Sequence, residues 1–140
     1  MAENPFVGHW SYRSLLNDPD LNRAFGDLEF GRGMLEIDEA PPEFLTGNIG
    51  GPGWSLKLQG SREYGTPMRT RFQGVGTVGG EAWIYDYEGW LVPHWPNGVG
   101  QRPAILGTVI RTLPHSGGQP GSVAPAGVVA SFYAVREDSG

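Results

Sequence analysis

Between Met68 and Val92 the chain alternates ring or polar side chains so regularly about Gly79-Gly80 that a β-hairpin is the natural outcome. A two-residue primed turn there pairs Val78 with Glu81 and extends the ladder outward. Gly76 then faces Trp83, Gly74 faces Tyr85 and Phe72 faces Tyr87. The other surface sets Arg71 opposite Glu88, Gln73 opposite Asp86 and Arg69 opposite Trp90. One side is aromatic over glycine, and the other sets up a charge pair, a polar pair and room for a cation–π contact between Arg69 and Trp90. The rings should point to the centre of the molecule and the acids to water.

Period-two patterning recurs along most of the chain. Candidate strands are Val7–Leu15, Leu28–Asp38, Glu43–Ile49, Trp54–Ser61, Met68–Val78, Glu81–Val92, Ala104–Leu113 and Gly127–Glu137. With 23 Gly and 12 Pro among 140 residues, long helices are disfavoured, yet 32 Leu, Ile, Val and Phe residues suffice for a core. A four-residue loop at Gly50–Gly53 sets Ile49 opposite Trp54, Gly47 opposite Leu56 and Leu45 opposite Leu58. Leu35 and Ile37 share that apolar face, while Glu36 and Asp38 lie outside. One short helix is expected, with Asp18 as N-cap, Pro19 at the first helical position and Gly26 as its stop. The Ser116–Pro125 stretch reads as a mobile loop.

Eight sequential antiparallel strands leave two exposed edges unless the first pairs with the last. The expected fold is all-β: a single-domain, eight-stranded antiparallel up-and-down barrel spanning residues 1–140, its core within about 6–137. A sandwich of two sheets is the alternative. Glycines 31, 33, 47, 60, 74, 76 and 107 fall within strands, where they permit the coiling a small barrel needs.

Gly8-His9-Trp10, at the start of the first strand, resembles the Gly-x-Trp motif of the calycin barrels, the lipocalin and avidin-like families. The resemblance implies that Trp10 closes one barrel end and that a basic residue late in the last strand packs on its ring. Arg136 occupies that position.

Charge and composition exclude several functions. The net charge is −5 and the ten Lys and Arg are scattered, so no phosphate-tracking stripe exists and no nucleic-acid partner is expected. Without Cys there are no disulfides, thiolate nucleophiles or sulfur-ligated metals. No run of about 20 apolar residues could span a membrane. Met1–Pro5 lacks the basic and apolar regions of a signal peptide, which predicts a cytoplasmic protein. Gly74–Gly79 fits Gly-x-Gly-x-x-Gly, but a strand rather than a helix follows, so the glycines read as structural. The carboxylate pairs Glu36/Asp38 and Asp86/Glu88 read as solvated. None of His9, His94 and His115 has the i,i+2 spacing that preforms a metal site on a strand, so no metal or other cofactor is expected. Of the three, His94, in the rigid Pro93–Gly98 loop, is the best general acid or base by type.

The aromatic face carries the functional expectation. Trp54, Phe72, Trp83, Tyr85 and Tyr87 either fill the barrel as a core or line a cavity for a small apolar or aromatic ligand. The glycines at 47, 74 and 76 leave volume, and buried Tyr hydroxyls need partners, which favours a cavity. Leu16–Asp27 and Pro114–Pro125 would then act as lids. The alternative is a cyclase- or isomerase-type enzyme holding a hydrophobic intermediate by shape, with Tyr85, Tyr87 and His94 handling protons. A third reading is a structural role without ligand. Trp90 and Trp95 on the outside would suit a homodimer contact.

Overall fold

A computed structural model describes residues 4–40, 44–93, 95–117 and 119–137. The Gly79-Gly80 turn forms as the alternation requires. Both residues have positive φ, +59° and +82°, the geometry of a primed turn. It joins β5 (Arg69–Val78) to β6 (Glu81–Leu91), and the register runs Val78↔Glu81, Gly76↔Trp83, Gly74↔Tyr85 and Phe72↔Tyr87 as the sequence implies. Phe72, Tyr85 and Tyr87 are buried and Trp83 is half-buried, while Asp86 and Glu88 face outward.

The remaining long strands are β1 (Gly8–Leu16), β2 (Glu29–Ala40), β3 (Phe44–Gly51), β4 (Trp54–Glu63), β7 (Ala104–Arg111) and β10 (Val129–Arg136). A two-stranded ribbon, β8 (His115–Ser116) with β9 (Val123–Ala124), is set between β7 and β10. Among the described residues, eight strands close into an antiparallel barrel in the order β1-β10-β7-β6-β5-β4-β3-β2. Apart from the inserted ribbon this is an up-and-down meander. Pairing of β1 with β10, Trp10↔Arg136 to Leu16↔Ala130, removes both free edges.

The β3–β4 hairpin differs from the four-residue loop expected. Its turn is only Pro52-Gly53, with Gly53 at φ +83°, the Pro-Gly pair that a type II turn favours. Gly50 and Gly51 join β3, so Ile49 pairs with Leu56 and Gly47 with Leu58, a shift of two residues. An even shift preserves which side each residue faces, so Leu45, Ile49, Leu56 and Leu58 still point inward and are buried.

Glycine is obligatory where neighbouring strands coil closest. A Cβ at Gly47 would lie 1.8 Å from the Glu36 carbonyl oxygen, and one at Gly60 equally near that of Arg71. The glycines opposite the rings leave no void. A Cβ at Gly74 would meet Leu56, Leu58 and Tyr87 at 3.2 Å, so the space is already filled.

Two local expectations change. Asp18 does not cap a helix. Its carboxylate accepts the Asp20 amide at 2.8 Å and pairs with Arg23 at 2.8 Å, an Asx-turn that competes with helix formation. The helix, α1, is a single turn over Phe25–Leu28, anchored by buried Leu28. On the outer wall, Glu88 pairs not with Arg71 but with Arg69, at 3.0 Å; Arg69 also holds Glu63. Gln73 does donate to Asp86, at 3.1 Å. Trp90 and Trp95 are 38% and 75% exposed, so both are available on the outside.

One barrel end is sealed. Trp10 and Phe6 are fully buried, and the Trp10 indole N–H donates to the Phe6 carbonyl at 3.0 Å. The Arg136 guanidinium lies over the Trp10 ring, 4.9 Å from its centroid, and donates to the carbonyls of Pro5 at 2.6 Å and Val7 at 2.9 Å. Gly8, at φ +146°, passes the chain beside Arg136 with backbone geometry that side chains resist. Arg136→Ala should therefore lower the unfolding free energy in urea by about 2–4 kcal/mol, from lost cation–π and charge-assisted bonds. Arg32→Ala, removing an exposed ion pair, should cost under about 0.5 kcal/mol. Equal losses would contradict the role given to Arg136.

Candidate functional site

The barrel interior divides into two halves. In the half nearer the Trp10 end, Leu35, Ile49, Leu58, Phe72, Ile105 and Phe132 close on one another and leave a void of about 10 Å³. Tyr12 and Tyr87, edge to face with centroids 6.1 Å apart, form a floor above them. Beyond that floor lies a cavity of about 250 Å³, at the end where the 52–53 and 79–80 turns and the β8–β9 ribbon gather. Trp54, Trp83, Tyr85 and Tyr87 all line it. Phe72 does not; it belongs to the packed half. The interior is both alternatives at once: a filled core below, a cavity above.

The cavity wall also carries groups that the aromatic pattern did not single out: Tyr12, Ser14, Phe30, Arg111 and His115. Arg111 ends β7, on the inward side shared by Ile105 and Val109, directly across from Tyr85. His115 is brought back over the mouth by β8 and is buried. Part of the segment expected to be a loop is therefore ordered into a ribbon that covers one side of the opening.

These residues form a directed hydrogen-bond chain. Arg111 Nε donates to Tyr85 Oη at 2.9 Å, and Tyr85 Oη lies 2.6 Å from His115 Nε2. His115 Nδ1 lies 2.8 Å from the Ser116 carbonyl, which can only accept. With the imidazole neutral, Nδ1 carries the proton, Nε2 is bare, and the Tyr85 hydroxyl donates to it. The Trp83 ring stacks on His115, centroids 3.9 Å apart and planes 12° from parallel. Arg111 sits over Phe30 at 4.8 Å and against the Tyr85 ring at 5.7 Å, with Nη1 donating to the Pro125 carbonyl at 3.3 Å. The Trp83 indole N–H is buried and has no hydrogen-bond partner among the described residues.

The floor tyrosines are electrostatically silent. Burial pushes the phenols of both Tyr12 and Tyr87 above the ordinary tyrosine range, and neighbouring tyrosines add to the effect. Among the described residues no three of His, Asp and Glu gather to hold a metal ion, and no helix is long and apolar enough to cross a membrane. His94 lies outside the described residues. His9 is on the outer wall beside Glu36, at 3.3 Å, at the sealed end. The chain matches no protein-family model, and no curated protein or solved structure resembles it at a significant level.

The raised phenols make a signed prediction. A group held protonated in the fold stabilises it fully below its unfolded value, about pH 10 for tyrosine, and the benefit is lost as pH rises. The urea midpoint should thus fall above about pH 10, less steeply in Tyr87→Phe. Absorbance at 295 nm should show Tyr12 and Tyr87 ionising only as the barrel unfolds. Ionisation of all five tyrosines in the folded state would refute the buried floor.

Proposed function

We propose that this barrel is a binding module for a small, mainly aromatic or apolar molecule taken up through its open end. The observation that carries the reading is the cavity itself: four aromatic side chains from β4 and β6 around about 250 Å³, with polar groups grouped on one wall. Apolar walls with a few convergent polar groups are the usual make-up of a ligand site, and this volume, just below the ~300–1,000 Å³ of drug-sized sites, suits one or two rings. The 17–24 segment and the β8–β9 ribbon at the same end would serve as its lids. Kinship with the calycin barrels is part of the proposal; the closed eight-stranded meander and the stack of Arg136 on Trp10 support it.

A second reading, an isomerase- or cyclase-type enzyme, draws on one specific feature. The Tyr85 hydroxyl is held between the Arg111 guanidinium and His115 Nε2, an arrangement in which, with the imidazole neutral, a proton can pass from Tyr85 to His115. In that reading Tyr85 and His115 take the proton-handling roles, and Tyr87, deep in the floor, shapes the site.

Calorimetric titration with one- and two-ring aromatic compounds tests the binding proposal. Trp83→Ala should weaken a bound compound about tenfold, the scale of one lost stacking contact. Trp90→Ala, outside the barrel, should leave affinity unchanged. A panel without any binder, or equal losses in both variants, would overturn the proposal. For the enzyme reading, Tyr85→Phe should abolish turnover of a converted ligand while retaining its binding; undiminished turnover would remove Tyr85 from the chemistry.

A further inference from the structure

Arg111 is a cation in the wall of an aromatic cavity with no counter-ion among the described residues. Among the described residues no carboxylate lies within 4 Å of Arg111, as is also true of Lys57, Arg62, Arg71 and Arg102, but of these only Arg111 lines the aromatic cavity. No Asp or Glu is among the described residues lining the cavity. Glu81, on the inward side of β6 at the rim, is occupied by the Ser116 amide at 3.1 Å. The guanidinium spends Nε on Tyr85 and Nη1 on Pro125, and its Nη2 donates to no described protein group. Two ring faces moderate the charge but do not neutralise it.

The hydrogen-bonding inventory of the wall leans the same way. The acceptor atom of His115 is already taken by Tyr85, and its other nitrogen is engaged with Ser116. The hydroxyls of Tyr12, Ser14 and Tyr87 on the wall can donate or accept, so the one fixed charge the described lining offers an occupant is the Arg111 guanidinium. In a protein of net charge −5, that local excess is set against the overall field.

We propose that the cavity's occupant is an organic acid, an aromatic or similarly compact apolar carboxylate whose carboxylate pairs with Arg111 while its ring lies among Trp54, Trp83 and Tyr87. This inference rests on the binding reading above and adds to it the charge of the ligand. The planar guanidinium fork matches a carboxylate, and partial enclosure by rings strengthens the pair relative to one in water. A neutral molecule of equal shape would leave the cation unpaired.

The test compares 2-naphthoate with 2-naphthamide, which share a ring system and differ in charge, by calorimetry at about neutral pH and low salt. The naphthoate should bind at least about tenfold more tightly, the scale of a charge-assisted bond. Arg111→Gln should erase that difference, the two compounds then binding within about twofold of one another, and Arg111→Lys should restore part of it. Equal binding of the two compounds to the unaltered protein would overturn the acid while leaving the aromatic-ligand reading intact. Preserved discrimination in Arg111→Gln would likewise overturn the role of Arg111. Absence of binding by both, and by every neutral compound of the wider panel, would instead defeat the binding reading itself. Because the first comparison uses the unaltered chain, it decides the matter even where a variant fails to fold.

Discussion

Pairing between the first long strand and the last is the constraint on which the rest depends. Seven strand–strand interfaces make a curled sheet; the eighth, β1 with β10, makes a barrel with an inside. Closure satisfies two backbone edges that would otherwise invite other strands, and it fixes the circumference within which the inward side chains must fit. The Trp10–Arg136 stack sits on this seam and joins it to the segment preceding β1 through the Pro5 and Val7 carbonyls. The close glycine contacts at positions 47 and 60 belong to the same constraint, because tight coiling brings neighbouring backbones to distances that no Cβ could share.

With the circumference fixed, side-chain size decides what is solid and what is hollow. Near the sealed end, branched aliphatics and Phe72 and Phe132 interlock. Towards the mouth, large flat rings stand against the wall, and the polar triad of Arg111, Tyr85 and His115 takes the place of further packing groups. That exchange removes apolar contact from one wall and supplies hydrogen-bond capacity and charge instead. The floor of Tyr12 and Tyr87 separates the two regimes, and burial holds both phenols neutral there. A packed lower half then supports an upper half whose lining borders a cavity, an arrangement consistent with the binding proposal.

Much of the architecture was legible in the sequence because period two leaves little freedom in a hairpin. The Gly79-Gly80 register came out residue by residue, since both faces of β5 and β6 are chemically distinct. The β3–β4 register slipped by two because four consecutive turn formers, Gly50 to Gly53, do not say which two make the turn; the parity survived, and with it the inward face. Four of the five ring residues expected at the site line the cavity, but Phe72 does not, because alternation gives the side of a sheet and not the height along a barrel. The triad was harder to see. Arg111 shares the inward parity of Ile105 and Val109, but at a strand end a long cationic side chain can turn to water, so parity alone does not place it in the cavity. His115 depends on a two-residue ribbon too short for any periodicity to reveal. Asp18-Pro19 imitates a helix start, and only the Asx-turn bonds to Asp20 and Arg23 distinguish it.

The central claim is that this closed barrel is hollow at one end and solid at the other. Diffraction from crystals under xenon tests it most directly, since xenon enters apolar space without needing a polar partner. The account predicts a xenon peak above the Tyr12–Tyr87 floor, near Leu56, Val109 and Trp83, and none among Leu35, Leu58 and Phe132. Continuous protein density filling the upper half, or a peak in the lower half alone, would contradict it.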